Sequence, residues 1–216
     1  MSQLLKIILF YLMWIISNIY SYRLSAFFKN CFNLIYTYWI RNFFGELGHN
    51  SHIAYPCILQ GGGESRISIG DNSHIGSHCI LGCWKQYNAF DGQQIFNPEI
   101  IIGDNCSIGE YSQITAISKI TIGEGLLTGR YVYIGDNAHG GLSWLESEIH
   151  PKRRHLQSKG AVTIGKNVWI GDKVTILSGV TIGDNVIVGA NSVVTHDFPS
   201  HCLIGGIPAK IIRKLE

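Results

Sequence analysis

The chain has 216 residues, enough for one ordinary domain with a short extension. Its 17 Lys and Arg against 15 Asp and Glu give a formal net charge of +2, which is not the basic balance typical of nucleic-acid-binding proteins. Charged residues make up 15% of the chain and glycine supplies 25 residues, against averages of about 25% and about 7%, so the composition excludes disorder and coiled coil and indicates many tight turns. The six cysteines form no CxxC pair, and we expect reduced thiols in a cytosolic protein.

Residues 1–44 differ in composition from the rest of the chain. They hold 13 of the 24 aromatic residues, four basic residues and no acidic residue, so this stretch is +4 and the remainder is −2. The apolar run over residues 7–16 is shorter than the roughly 20 residues that a membrane-spanning helix needs. A second stretch has apolar residues at helical spacing: Leu24, Phe27, Phe28, Cys31, Phe32, Ile35, Tyr38 and Trp39.

These features predict a helical extension over residues 1–48. One interpretation is peripheral contact with the cytosolic face of a membrane, with aromatic rings at headgroup depth and basic residues on the polar face. The other is a helical cap that packs on the domain or on a partner chain. The sequence leaves both open.

From residue 163 onward, an aliphatic residue recurs every six positions. The series is Ile164, Ile170, Ile176, Ile182, Val188 and Val194, and the same rhythm runs through residues 69–82, 102–114 and 122–135. A period of six fits neither a helix nor a plain strand, so each unit is a short strand plus a turn whose aliphatic residue stacks on its equivalents. The fourth position often holds a type that tolerates a left-handed conformation: Asn72, Asn105, Gly125, Asn167, Gly179, Asn185 and Asn191. The pattern predicts a parallel β-helix over residues 49–203.

Two segments, 83–99 and 139–161, lack the repeat. We predict that both are loops, which on a rigid scaffold are the expected place for binding and catalysis. The second segment contains three histidines and three basic residues: His139, His150, His155, Lys152, Arg153 and Arg154.

The hexads, together with YVYIGDNAHG at 131–140 and VTIGKNVWIG at 162–171, resemble the hexapeptide-repeat acyltransferases, in particular sugar O-acetyltransferases of surface-polysaccharide synthesis. The resemblance covers roughly residues 50–213 and implies a left-handed parallel β-helix, an all-β fold that here has a helical N-terminal extension and a short C-terminal helix. It also implies a homotrimer with active sites between subunits, acetyl-CoA as cosubstrate, no metal, and a sugar or glycan acceptor.

The resemblance implies a general base at His139, since transfer from a thioester to a hydroxyl requires one proton to leave the acceptor oxygen. Asp136 or Asn137 would orient the other nitrogen of this imidazole. Gln113 is the nearby amide that would contact the acceptor or the oxyanion, and a solvated turn residue is the alternative interpretation of it.

The resemblance also implies a coenzyme A path. Trp169 would line the pantetheine channel, and Gly171, Asp172, Ala190 and Thr195 would follow the thioester and pantetheine. In the tail over residues 204–216, Lys210 and Arg213 would share one face of a short helix and bind the cofactor phosphates.

Other functions remain as alternatives. A zinc carbonic anhydrase on the same fold would use histidines five apart, as His150 and His155 are, but the neighbouring cationic side chains oppose a divalent metal. A non-catalytic scaffold would not need His139, Trp169 and the closing motif together. An antibiotic acetyltransferase would not need the apolar extension, and a serine acetyltransferase would have an acidic helical N-terminal region.

Overall fold

The computed structural model describes residues 2–141 and 144–214 and shows three parallel sheets wound into a β-helix. Strands are numbered along the chain. Sheet A contains β1 (Glu46–Leu47), β4 (Ile67–Ile69), β9 (Glu99–Ile102), β12 (Lys119–Ile122), β17 (Val162–Ile164) and β20 (Thr181–Ile182). Sheet B contains β2 (His52–Ile53), β5 (His74–Ile75), β10 (Ser107–Ile108), β13 (Leu127–Thr128), β18 (Trp169–Ile170), β21 (Ile187–Val188), β23 (Cys202–Gly206) and β24 (Ala209–Lys214). Sheet C contains β3 (Cys57–Gln60), β6 (Cys79–Cys83), β11 (Gln113–Ala116), β14 (Tyr133–Gly135), β19 (Thr175–Ile176) and β22 (Val193–Val194). The predicted left-handed parallel β-helix with N-terminal helices is confirmed, and β1 places its first strand within the stretch assigned to the extension.

The aliphatic repeat forms the core. In sheet A, Ile102, Ile122, Ile164 and Ile182 lie side by side in register, and each is at most 1% exposed. The other predicted inward residues, among them Ile170, Ile176 and Val194, are equally buried. Each coil therefore stacks its aliphatic side chains on those of the next coil, as the period of six predicts.

The turn residues adopt the predicted conformation. All seven Asn and Gly residues of the fourth position have φ between 53° and 78°. The structure adds positions that the residue types did not indicate, since His78, Tyr111, Tyr131 and Lys173 also have φ near 60°. Corner geometry therefore repeats even where the side chain is an unusual one for it.

Glycine after the aliphatic residue serves close packing between coils. A Cβ atom at Gly109 would lie 2.1 Å from the carbonyl oxygen of Gly129, and one at Gly171 would lie 2.6 Å from the amide nitrogen of Ala190. These contacts are with backbone and cannot give way to a side chain. The frequent glycine thus reflects the spacing between coils as well as the turns that the composition indicates.

Two helices precede the β-helix: α1 (Gln3–Ile19) and α2 (Tyr22–Ile40), followed by a 3-10 turn (Arg41–Phe43). Only the end of α2 is buried, where Ile40 is 2% exposed and the Thr37 hydroxyl accepts from the Ile53 amide at 3.0 Å. The Tyr36 hydroxyl bonds the backbone of Cys57 in the same way. The helix therefore covers the open end of the first coil with its Tyr36, Thr37 and Ile40 face.

The apolar stripe predicted on α2 is largely exposed. Phe27, Phe28, Phe32, Ile35 and Tyr38 are between 51% and 68% exposed, and α1 has no buried residue. Among the helices that the structure describes, no single one is long and apolar enough to cross a bilayer, whereas α1 and residues 22–43, bent by 55°, meet the length and composition requirement as a pair.

The interruptions of the repeat are more ordered than loops. Residues 83–99 form an antiparallel hairpin of β7 (Gln86–Ala89) and β8 (Gly92–Ile95). Residues 139–161 leave the coil through β15 (Ala138–His139), which pairs antiparallel with β16 (Leu156–Gln157), and contain α3 (Trp144–Ser147) and a 3-10 turn (Pro151–Arg153). Each segment pairs part of its backbone in an antiparallel ladder once it leaves the three sheets. The prediction of a loop was therefore wrong for the first segment and correct in part for the second.

The predicted C-terminal helix is wrong. Residues 209–214 form β24, which turns back and pairs antiparallel with β23. After the last coil, β23 would be an unpaired edge of sheet B, and β24 satisfies its backbone groups. The helical face proposed for Lys210 and Arg213 is thereby lost, although both side chains stay exposed.

All six cysteines are free thiols, as expected for reduced residues. Five are buried in the coils, and only Cys31 on α2 is exposed. Burial raises the pKa of Cys57 to about 12 and those of Cys79 and Cys83 to about 11, so these thiols are unreactive near neutral pH.

Candidate active site

A cavity of about 360 Å³ opens where the two interruptions of the repeat meet sheet C. It combines residues from the coils with residues from the hairpin and from the second inserted segment. Its lining residues are Trp84, Tyr87, Gln113, Thr115, Tyr133, Asn137, Ala138, His139, Leu156 and Leu177. His139 and Gln113, both predicted as site residues, are thus brought together in one cavity.

His139 is held by the backbone of the inserted segment. It pairs with Leu156 in the two-residue ladder of β15 and β16, and the next amide, that of Gly140, donates to the His155 carbonyl at 2.8 Å. Gly140 has φ of 83°, where a side chain would be strained. This turn keeps the exposed imidazole at the cavity wall.

The two inserted segments are fastened to each other. His155 Nε2 lies 2.8 Å from a carboxylate oxygen of Asp91 at the tip of the hairpin. The Gln94 amide donates to the Leu156 carbonyl at 3.2 Å and accepts from the Leu156 amide at 2.8 Å. The hairpin therefore forms a fixed wall of the cavity beside the strand that carries His139.

Tyr87 is the side chain that contacts the His139 imidazole. Its hydroxyl oxygen lies 3.3 Å from His139 Nδ1, and the two ring centroids are 5.3 Å apart in an edge-to-face arrangement. The same hydroxyl donates a hydrogen bond to the Lys152 carbonyl. The sequence did not single out Tyr87, although it lies in a segment that was flagged because it breaks the repeat.

Asp136 and Asn137 make no hydrogen bond to His139. The Asp136 carboxylate is completely buried and accepts from the amides of Ile117 and Ser118 at 2.8 Å each. The Asn137 side chain donates to Asp136 and to the Thr115 carbonyl. Their contacts anchor the corner from which β15 departs, and the orienting contact predicted for them is made by Tyr87 instead.

Three aromatic residues line the cavity: Trp84, Tyr87 and Tyr133. Burial and the nearby Asp136 charge raise the pKa of Tyr133, which keeps its hydroxyl protonated as a donor. Gln113 lies beside Tyr133 in register on the neighbouring strand of sheet C. Of these residues, only Gln113 was a sequence candidate; Tyr133 directly precedes a core isoleucine, and its aromatic type was the available signal.

None of the predicted cofactor residues lines this cavity, and three of them, Trp169, Lys210 and Arg213, lie on sheet B. Trp169 is 53% exposed and is followed in register across the sheet by Ile187, Leu203 and Arg213. Trp169 and Arg213 therefore belong to one row of side chains, which the pairing of β24 creates. Lys210 pairs with Gly205 at the other part of the same strand.

The corner after β18 holds the next candidates. The close approach of Gly171 to the amide of Ala190 stacks these two residues in successive coils. The Asp172 carboxylate accepts from the Arg130 amide at 2.8 Å, a contact between coils. Thr195 lies after β22, its hydroxyl 3.2 Å from His196 Nδ1, one coil beyond Leu177 of the cavity wall.

His150 and His155 do not form a metal site with a third ligand. The amide of Lys152 donates to His150 Nδ1 at 3.3 Å, whereas His155 contacts Asp91 and Glu146. Within residues 2–141 and 144–214, no three His, Cys, Asp or Glu side chains are grouped as metal ligands would be.

The fold and this cavity define a class of protein. Residues 161–196 match the family described as "Bacterial transferase hexapeptide (six repeats)". The chain is 37% identical over 166 residues to the "Putative lipopolysaccharide biosynthesis O-acetyl transferase WbbJ" of Escherichia coli K12, which covers 75% of this chain and 78% of that protein. The chain belongs to the hexapeptide-repeat acetyltransferase superfamily.

Two further relatives bear on the site. The galactoside O-acetyltransferase of E. coli K12 is 45% identical over 72 residues, covering 31% of this chain and 36% of the relative. The hexapeptide-repeat acetyltransferase VCA0836 of Vibrio cholerae, solved in complex with acetyl coenzyme A, is 26% identical with a TM-score of 0.54, and the match covers 91% of both chains.

Proposed function

We propose that this protein transfers an acetyl group from acetyl-CoA to a hydroxyl of a sugar or surface-glycan intermediate, with His139 as general base. The observation that carries the proposal is the cavity that joins the His139 imidazole to aromatic and polar walls. Its volume of about 360 Å³ suits a monosaccharide unit, and aromatic faces with a few polar groups are typical of sites that bind small molecules.

The chemistry needs few parts. The acceptor oxygen attacks the thioester carbonyl carbon while an imidazole nitrogen takes its proton, and the carbon–sulfur bond breaks with its electron pair on sulfur. The thioester is already activated, so neither a protein nucleophile nor a metal is required. Donors must stabilise the oxyanion, and Gln113 lies in the cavity where it can contact the acceptor or this oxyanion.

The relatives support a sugar hydroxyl as the acceptor. The relative that is 37% identical over 166 residues is named for lipopolysaccharide biosynthesis and another for galactosides. An acetyltransferase that modifies an antibiotic and a non-catalytic scaffold are the alternatives, and nothing in the cavity favours them.

The separation between the His139 cavity and the predicted cofactor residues on sheet B (the cofactor row: Trp169, Lys210 and Arg213) supports a homotrimer. Trp169, Lys210 and Arg213 are exposed on sheet B, and none of them lines the His139 cavity. If the cofactor row of one subunit faces the cavity of the next, each active site is shared, and acetyl-CoA bound along that row presents its thioester to His139.

The first test is His139→Ala, with His49→Ala as a matched control because His49 is an exposed histidine outside the site. Thiol release from acetyl-CoA is measured against nucleotide sugars and lipid-linked oligosaccharides. The His139 variant should remain folded and lose about 10² to 10⁴ in turnover, whereas the control should keep it. A folded His139→Ala protein with unchanged kcat/KM would contradict the proposal, and no thiol release with any acceptor would favour the scaffold.

A second test mixes two defective subunits. His139→Ala protein is refolded at equal ratio with a Lys210→Ala, Arg213→Ala double variant, and turnover is measured at low acetyl-CoA. With sites shared around a closed trimer, random assembly restores about one quarter of the sites. No recovery in assembled trimers would mean that each site belongs to one chain.

The same proposal places the protein on the cytosolic face of a membrane. Every residue of the run 7–16 is at least 45% exposed, so the exposed apolar surface surrounds α1 on all sides. A helix that is apolar on all sides is found inside a protein or in lipid, and α1 has no residue buried by this chain, so lipid is the environment that we propose for it. Lys6, Arg23 and Lys29, with no acidic residue in this stretch, complement anionic lipid.

Membrane attachment can be tested by a deletion that leaves the contacts of α2 with the first coil intact. Deleting residues 1–44 would strip Thr37 and Ile40 from the first coil, so the matched variant deletes only residues 2–20. Full-length protein should sediment with anionic vesicles, less at high salt, and the deletion should abolish most binding without lowering the melting temperature. A lowered melting temperature with unchanged vesicle partition would show that α1 packs on another subunit.

A further inference from the structure

The hydrogen bonds of Tyr87 determine where the proton of the His139 imidazole lies. A phenol hydroxyl has one proton to donate and lone pairs that accept. The Lys152 carbonyl can only accept, so the Tyr87 proton goes to it. Toward His139 Nδ1, 3.3 Å away, the hydroxyl oxygen is therefore the acceptor, and Nδ1 must carry a hydrogen.

This arrangement leaves the other ring nitrogen as the base. A neutral imidazole with a hydrogen on Nδ1 has its lone pair on Nε2. Nε2 has no hydrogen-bond partner among the residues that the structure describes. The free lone pair is thus available to a hydroxyl group bound in the cavity.

We infer that Tyr87 is a positioning residue that fixes the Nδ1–H tautomer of His139, so that Nε2 receives the acceptor proton. The inference rests on the proposed function. When the acceptor oxygen bonds to the acetyl carbon, its proton moves to Nε2, and the imidazolium that forms still donates Nδ1–H to Tyr87. The proton then leaves Nε2 for the coenzyme A sulfur that departs with the electron pair.

The hairpin supplies the rigidity that this role needs. Tyr87 lies on β7, and the hairpin is tied to the His139 segment by Asp91, which binds His155, and by Gln94, which binds Leu156. The two contacts fix the distance between the hydroxyl and the imidazole through backbone elements. The inserted hairpin is therefore part of the catalytic apparatus as well as a wall.

Nitrogen NMR of ¹⁵N-histidine-labelled, full-length protein tests the inference directly. The His139 signals are identified by their loss in His139→Gln. We expect Nδ1 protonated and Nε2 unprotonated in the wild type, and a shift toward Nε2–H in Tyr87→Phe. Tyr111→Phe, which removes an exposed hydroxyl outside the cavity, should leave the tautomer unchanged.

Kinetics give the second readout. Tyr87→Phe should lower kcat about 10- to 100-fold, less than His139→Ala, with an unchanged KM for acetyl-CoA. A wild-type His139 that carries Nε2–H, or a Tyr87→Phe protein that keeps the Nδ1–H tautomer, would overturn the inference. The NMR result needs no acceptor, so it stands apart from the proposed function, which fails if His139→Ala remains active or if no acceptor releases thiol.

Discussion

Replacing Asp136 should destabilise the fold before it affects the chemistry. The buried carboxylate accepts two backbone amides at 2.8 Å and the Asn137 side chain at 3.1 Å. A hydrogen bond to a charged group contributes about 1.5–3 kcal/mol, and an unpaired buried donor costs about 1–3 kcal/mol. The Ile117 amide is buried and would be left without a partner, whereas Ser118 is exposed and can bind water. Asp136→Ala should therefore lower the free energy of unfolding by about 2.5–6 kcal/mol, the loss of one charged hydrogen bond plus one unpaired buried donor.

Urea unfolding at fixed protein concentration measures this effect. Asp136→Asn keeps one carbonyl acceptor and should lose about half as much. Asp184→Asn is the matched control, because its carboxylate accepts the Lys166 amide at 2.7 Å at an exposed corner, so its loss should be smaller. An Asp136→Asn protein of normal stability that has lost turnover would refute the structural assignment and restore the predicted orienting role.

Five further outcomes follow from the coils and the surface. Ile122→Ala should lower the free energy of unfolding by about 2–5 kcal/mol in urea titrations, since the side chain is buried in a stacked column. Gly109→Ala should reduce the melting temperature, because its Cβ would lie 2.1 Å from a backbone oxygen. Lys210→Ala with Arg213→Ala should raise the KM for acetyl-CoA and flatten its salt dependence, which steady-state kinetics at two ionic strengths would show. At pH 8, a thiol reagent should label Cys31 alone, because the other five thiols are buried. The free energy of unfolding should fall above about pH 9, because buried thiols with a raised pKa stay protonated in the folded state while the same thiols ionise in the unfolded state.

The coils could be predicted from the sequence because each one repeats the same local requirements. An aliphatic residue at every sixth position is buried at each of the predicted sites, and the Asn and Gly corners have the expected positive φ. Some corners hold a residue type that rarely adopts positive φ, such as Tyr131. They have the same conformation because the neighbouring coils impose it. His139 could be located from the YVYIGDNAHG motif, whereas Gln113, on β11, was selected only as the nearby amide.

Docking faces were harder to predict because they depend on partners distant in sequence. The stripe of α2 left open whether it contacts a membrane or packs on the domain, and the contacts to the first coil are made by Tyr36, Thr37 and Ile40. Hydroxyl groups bind the free backbone of the coil end there, a need that hydrophobic spacing does not reveal. The C-terminal strand has the same origin, because the unpaired edge of sheet B decides its conformation.

The candidate site depends on coil residues, whose positions follow the repeat, and on contacts between the two segments that lack it. Asp136, a coil residue, anchors the corner from which β15 departs, and its carboxylate reaches the amides of Ile117 and Ser118, 19 and 18 residues earlier in the adjacent coil. Tyr87 reaches His139 and Lys152 across 52 and 65 residues, between two segments that lack the repeat. No periodicity links such segments, so their contact can be found only from the folded chain. In the proposed function, the coils fix the point at which His139 leaves the scaffold, and the hairpin supplies the Tyr87 contact to its imidazole. A change in the hairpin would therefore alter the orientation of the base as well as the wall of the cavity.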